Sequence, residues 1–247
     1  QGLADFFAAT PSKEIIKIAP GKTLPIDKNL EKYTVKYDEL VHGIYEFVID
    51  QPAEIAVLQT SPKVSGADAY NNIKHIVPTG HKNAGRGLFG VSNYRILNKE
   101  VIDTKNGASQ LIVADGKIDP WVVGKEGVSG AVSELAGNYG VIYNIELDWK
   151  SSDGKGLALV TWNSRTDNKW CSGMAASMVI SEGVFNDGIV QLPSNKLTTK
   201  GAPEAIVVQV FKPSKDGSKQ TIKLKYSPPG ASCLPTPLIF IPVDLDK

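Results

Sequence analysis

The sequence predicts an all-β chain: one or two antiparallel β-sandwich units carrying a short, strand-like N-terminal arm. Three observations point there. In Val141-Ile-Tyr-Asn-Ile-Glu-Leu147, Val141, Tyr143, Ile145 and Leu147 fall on one side, and Ile142, Asn144 and Glu146 on the other. This is the period of a strand with one buried face. Short apolar stretches recur along the chain, punctuated by turns such as Asp115-Gly116, Ser152-Asp-Gly-Lys-Gly156 and Pro213-Ser-Lys-Asp-Gly217. Helical periodicity is nearly absent, residues 67–76 being the one stretch that reads as a helical turn.

Taken in order, residues 1–20 read as an arm and 21–247 as the body, with 125–135 as an alternative point of division. In the arm, Leu3, Phe6 and Phe7 form an apolar cluster before Pro11, and Lys13-Glu-Ile-Ile-Lys-Ile18 reads as a short strand. Phe6, Phe7, Ile15, Ile16 and Ile18 need a surface to pack on, either within the same chain or on a second copy. Tyr33-Thr-Val-Lys-Tyr37, Gly43-Ile-Tyr-Glu-Phe-Val-Ile49 and Glu54-Ile-Ala-Val-Leu-Gln59 read as three successive antiparallel strands, rich in β-branched and aromatic residues. Gly137-Asn-Tyr-Gly140 supplies residues that tolerate φ > 0 for a sharp turn into the central strand. Further strands are expected at 110–114, 157–162, 175–180, 188–192, 205–211, 221–226 and 238–241. The pair at 205–211 and 221–226 reads as a hairpin, with Lys223 and Lys225 protecting an edge.

Composition narrows the function classes. With 27 basic and 26 acidic residues the net charge is +1, so no global field attracts nucleic acid or an anionic membrane. No apolar run is long enough to span a bilayer. The glycine-rich stretch 79–90 carries Lys82 and Arg86 but lacks the Gly-Lys-Ser/Thr ending of a phosphate-binding loop, and reads as a surface loop. His42, His75 and His81 do not have zinc-ligand spacing. Asp115, Asp119, Glu126 and Glu134 are the densest acidic group; Asp in Asp-Gly and Asp-Pro is turn chemistry first, with a calcium site near Asp115 and Asp119 as a minor option. No metal, cofactor or catalytic residue is expected, and the chain reads as non-enzymatic.

Cys171 and Cys233 are the two cysteines, with no CxxC and no adjacent histidine. In a secreted protein they would form one disulfide, contributing roughly 4 kcal/mol on the chain-entropy model; in a cytosolic one they would be buried thiols. The start at Gln1 suggests a mature N-terminus after removal of a signal peptide, a start that a trimmed chain shares.

Four motifs, Gly85-Arg-Gly-Leu-Phe89, Ala114-Asp-Gly-Lys-Ile-Asp-Pro-Trp121 with Gly124, Leu135-Ala-Gly-Asn-Tyr-Gly-Val-Ile-Tyr-Asn-Ile145 and Pro228-Pro-Gly-Ala-Ser-Cys-Leu-Pro235, resemble a β-rich region of secreted Gram-positive bacterial surface proteins. In those chains the region often accompanies a copper-amine-oxidase-like N-terminal stalk domain. The resemblance runs from about residue 40 to the end. It implies a shared fold and an extracellular or cell-surface location, and it carries over no catalytic residues. Where the family tends to have Asn in the Pro-Pro-Gly motif this chain has Cys233, which would make a disulfide a local addition.

Two functions follow. One is a secreted structural protein, a subunit of a surface filament or surface layer that pairs with copies of itself through the arm. The other is a carbohydrate-binding or adhesion module for cell-wall or other polysaccharide, stacking sugars on Trp121 and Trp170. Trp149 and Trp162, in or beside strands, read as core or rim packing.

Overall fold

A computed structural model describes residues 2–36, 43–61, 63–78, 80, 87–162, 177–185, 188–192, 205–230 and 232–245. Strands dominate, and the fold is all-β. By internal contacts the chain divides into two units, Gln1–Ala8 with Thr79–Lys247, and Ala9–Pro78. The division thus falls near residues 8 and 78, not at 20 or 125–135.

Among the described residues the larger unit holds twelve strands: β1 (Asn93–Leu97), β2 (Ile102–Asp103), β3 (Ser109–Val113), β4 (Val123–Lys125), β5 (Val132–Glu134), β6 (Ile142–Lys150), β7 (Gly156–Trp162), β8 (Ser177–Ser181), β9 (Gly188–Gln191), β10 (Ala205–Phe211), β11 (Gln220–Tyr226) and β12 (Thr236–Val243). One six-stranded sheet runs β1-β6-β11-β8-β9 with β2 also on β6; a four-stranded sheet runs β10-β7-β12-β3; β4 and β5 form a small ribbon. The two larger sheets share one core, in which Tyr143, Ile145, Leu147, Trp149, Ile222 and Leu224 of the first meet Leu157, Leu159, Phe211, Leu238 and Phe240 of the second.

β6 is paired along both of its edges in the larger sheet. Val141, Tyr143, Ile145 and Leu147 are buried as the alternation predicts, and the same pattern carries on to buried Trp149. The turn before it takes the anticipated backbone, with φ of 98° at Gly137, 47° at Asn138 and 85° at Gly140. β1 and β2 pair with β6 in parallel, so this sheet is mixed and not purely antiparallel.

Two expectations about β10 and β11 are corrected. They do not form a hairpin, because β10 pairs with β7 in one sheet while β11 pairs with β6 and β8 in the other. Ile222, Leu224 and Tyr226 are buried and Lys223 and Lys225 exposed, as the period requires, but the lysines line the outer face of a central strand and guard no edge. Alternation sets which face is wet and is silent on which neighbours flank the strand.

The N-terminus departs furthest from expectation. Gly2–Ala8 is a helix, α1, whose Leu3 and Ala4 are buried where it meets β8 and β9. Leu3, Phe6 and Phe7 already carry the i, i+3, i+4 spacing of a helix face. Residues 9–19 form neither helix nor strand. In the second unit, α2 (Gly66–Asn71) is capped by Ser65, whose Oγ accepts the Asp68 N–H at 3.1 Å, and Glu31 Oε1 accepts the Gly66 N–H at 2.7 Å. The three strands expected at 33–37, 43–49 and 54–59 are not formed among the described residues: the chain there makes no ladder. A strand needs a hydrogen-bonding neighbour and a surface to cover its apolar face, and among the described residues these stretches pair with no neighbour and keep apolar side chains such as Val48 and Val57 exposed.

The central position of β11 can be checked by substitution. Lys225 lies opposite Asn144 on one side and Val179 on the other. Lys225→Pro should cost at least about 3 kcal/mol, because it removes a backbone donor from a strand flanked on both sides. Lys225→Thr should stay within about 0.5 kcal/mol. Denaturant unfolding of both variants measures this, and a tolerated proline would return β11 to an edge.

Candidate functional site

The polar centre of the larger unit lies at the end of β3. After Val113 the chain turns through Ala114 (φ 59°) and Gly116 (φ 72°), and Asp115 Oδ1 accepts the Lys117 and Asp119 N–H groups at 3.0 and 2.8 Å. Burial pushes the Asp115 carboxyl up, but the backbone N–H groups of Asp119, Lys117 and Ile118 outweigh it and hold the group below the usual carboxylate range. Asp119 Oδ2 accepts from the Ala114 N–H and from the Tyr143 hydroxyl, each at 2.6 Å. Buried Asn138 ties the network together, its Oδ1 accepting the Val122 N–H at 2.9 Å and its Nδ2 donating to Tyr143 Oη at 2.8 Å and to Pro120 O at 3.2 Å. Burial, and next the hydrogen bond to Asp119, push the Tyr143 phenol far above its ordinary value, so it stays neutral and donates.

These groups hold each other, and their arrangement is that of a structural knot. Asp115 and Asp119 each give an oxygen to the backbone, and among the described residues no three His, Cys, Asp or Glu side chains are grouped to hold a metal. Glu126 Oε2 closes the turn of the β4–β5 ribbon by accepting the Val128 and Ser129 N–H groups. Trp121 is half-buried with its ring against Gly116, where an added Cβ would lie 2.6 Å from the indole, and its Nε1–H is buried without a partner. A sugar-stacking platform needs an open ring face, and Trp121 is half-buried with Gly116 close against its Nε1–Cε2–Cζ2 side. Trp149 is fully buried and Trp162 half-exposed at the end of β7.

A second knot joins β2 to the β6–β7 turn. Asp103 accepts from the Ser152 N–H at 3.1 Å and hydroxyl at 2.7 Å, with Lys150 and Lys105 Nζ at 3.5 and 3.7 Å. Burial raises Asp103, yet the Ser152 hydroxyl and N–H, the Lys105 N–H and the Lys105 charge prevail and bring it down to about 2. Thr104 Oγ1 donates to Asp153 Oδ1 at 2.5 Å beside Ser151. Sequence reading missed this cluster and also Gln209, which is buried at a bulge in β10 and accepts the Phe185 N–H at 2.9 Å. Gly183 is required there: a Cβ would sit 2.1 Å from the Gln209 amide carbon.

The arm residues are not gathered into a site. Phe6 and Phe7 are half-buried in α1 with ring centroids 6.0 Å apart, while Ile15, Ile16 and Ile18 are exposed, Ile15 at 82%. Cys233 is buried; Cys171 and Trp170 lie outside the described residues, as do His42, His81, Lys82 and Arg86. No described helix is long and apolar enough to cross a membrane.

Comparison with known proteins finds no matching family model, no matching curated protein and no matching solved structure. Function must therefore be argued from the geometry.

The first knot gives a quantitative expectation. Tyr143→Phe leaves the Asp119 carboxylate and the Asn138 amide each short of a partner in a buried place, and should destabilise the protein by about 1–3 kcal/mol. Chemical denaturation measures it; an unchanged midpoint would show that water replaces the hydroxyl.

Proposed function

We propose that the protein is a non-enzymatic structural subunit of an extracellular filament or surface layer, secreted and joined to copies of itself through its N-terminal arm. One observation carries this reading: within Ala9–Pro78 the stretches 9–19, 43–49 and 54–59 carry exposed apolar residues and form no ladder among the described residues. Val48 and Val57 are 97% and 96% exposed, and Ile15, Ile16, Ile18, Phe47 and Ile55 stand in water as well. Covering a large apolar side chain is worth roughly 1.5–3 kcal/mol, so the chain as it stands leaves much stabilisation unused. A second copy supplies both the backbone partners and the cover. Polysaccharide binding has less in its favour, since Trp121 is spent on Gly116.

An extracellular location goes with a Cys171–Cys233 disulfide, which we include in the proposal. In its support, Cys233 is buried and no free cysteine occurs among the described residues. Alkylation without reductant followed by intact-mass measurement should leave both residues unmodified; labelling of both would refute the bond.

The assembly reading is tested by replacing Ile15, Ile16 and Ile18 together with Asp. These positions are exposed, so the melting temperature should hold within a few degrees while light scattering shows particles reduced to monomers. A variant that assembles as the wild type does removes the arm from the mechanism.

A further inference from the structure

An arm that donates a strand requires a place to receive it, and the end strands of the two larger sheets differ in their fitness. The larger sheet ends at β1 and β9, the smaller at β10 and β3. β9 has four residues, and α1 lies against it and β8. β10 is interrupted by its bulge between Val207 and Gln209, which spoils continuous pairing along that edge. β1 and β3 are five residues each and unbroken, and a cleft or seam between the two sheets lies between the Ile96–Leu97 end of β1 and Ser109–Leu111 at the start of β3. Ile96, Leu97, Ile102, Leu111, Leu147 and Phe240 line that seam, so its floor is core, and its rims are two strands whose outer edges take no ladder partner among the described residues. Neither rim carries an outward lysine of the kind that blocks edge pairing: β1 reads Asn-Tyr-Arg-Ile-Leu, with its one cation, Arg95, bonded to Glu146 on the neighbouring strand, and β3 reads Ser-Gln-Leu-Ile-Val.

We propose that the seam between β1 and β3 is the acceptor site for residues 13–18 of a second copy of this chain, which enters as an added strand. The proposal rests on the assembly reading above and names the surface on which that assembly takes place. The occupant is argued from complementarity within one sequence. Six extended residues span about 20 Å, enough to run the length of either rim. In strand geometry Ile16 and Ile18 share one side with Glu14, and Lys13, Ile15 and Lys17 share the other. Ile16 and Ile18 enter the apolar seam with Glu14 left at its mouth, while Lys13, Ile15 and Lys17 form the new outer surface. Main-chain hydrogen bonds to a rim strand supply attachment, and the two isoleucines set register. The donor and the acceptor are different surfaces of one subunit, so the contact is heterologous and propagates into a filament.

The test uses two complementary variants of the full chain. The donor-deficient variant carries Asp at 15, 16 and 18. The acceptor-deficient variant carries Leu97→Lys and Gln110→Lys, both exposed positions at the mouth of the seam; the Gln110→Lys single variant, polar for polar at the surface, guards against a folding defect. Each variant alone should be monomeric by light scattering. Mixed in equal amounts they should form dimers and stop, since one brings only an intact arm and the other only an intact seam. A mixture that stays monomeric overturns the proposal. Acceptor-deficient protein that forms wild-type filaments overturns the seam but leaves the arm's role standing. A wild type that is itself monomeric overturns the arm reading and the seam with it.

Discussion

The two-sided pairing of β6 is the constraint on which the larger unit depends. β1 and β2 take one edge and β11 the other, so nearly all of its nine residues are tied into ladders. Its inner face, Tyr143, Ile145, Leu147 and Trp149, is the part of the larger sheet that meets β7 and β12 across the core. Both polar knots hang from it. At its start, Tyr143 reaches the turn after β3 through Asp119 and Asn138; at its end, Lys150 and Ser152 hold the Asp103 carboxylate while Ser151 and Asp153 take Thr104. Each knot satisfies buried polar groups that would otherwise cost more than they contribute, and each fixes a connection between the sheets.

The same bookkeeping of backbone partners explains why the two units differ. In the larger unit, alternating sequence meets an alternating neighbour, and the apolar face of each strand finds the opposite sheet. In Ala9–Pro78 the stretch 43–49 is just as rich in β-branched and aromatic residues, yet the described residues have no ladder and Val48 is almost wholly exposed. A β-strand is defined by its pairing, and a stretch of strand-like sequence without a partner is a standing offer to another chain. That is the physical ground on which we propose a structural, self-associating role for a protein whose described polar clusters hold turns.

The candidate site was legible only in part. The exposed isoleucines of the arm could be named from the sequence because a run of apolar residues between Pro11 and Pro20 has too little chain of its own to hide in. The seam could not, because β1 and β3 become rims only through pairings with β6 and β12, each far away in sequence. Asp119 could be named, as an acid in a turn; its bond to Tyr143 could not, since it joins two elements on different sides of the β4–β5 ribbon. The helix α1 was within reach, through the spacing of Leu3, Phe6 and Phe7, but a short apolar cluster before a proline reads equally as an arm.

By itself the sequence determined the all-β class, the position and inward face of β6 and β11, and the left-handed turn at Gly137-Asn138, because side-chain alternation and φ preference are local properties of a few consecutive residues. Tertiary structure alone decided that β10 and β11 belong to different sheets, that Lys223 and Lys225 cover a face and guard no edge, that β1 and β2 run parallel to β6, and that the segments at 43–49 and 54–59 go unpaired. Those outcomes depend on which distant backbone takes each strand's free N–H and C=O groups, and no residue carries that information alone.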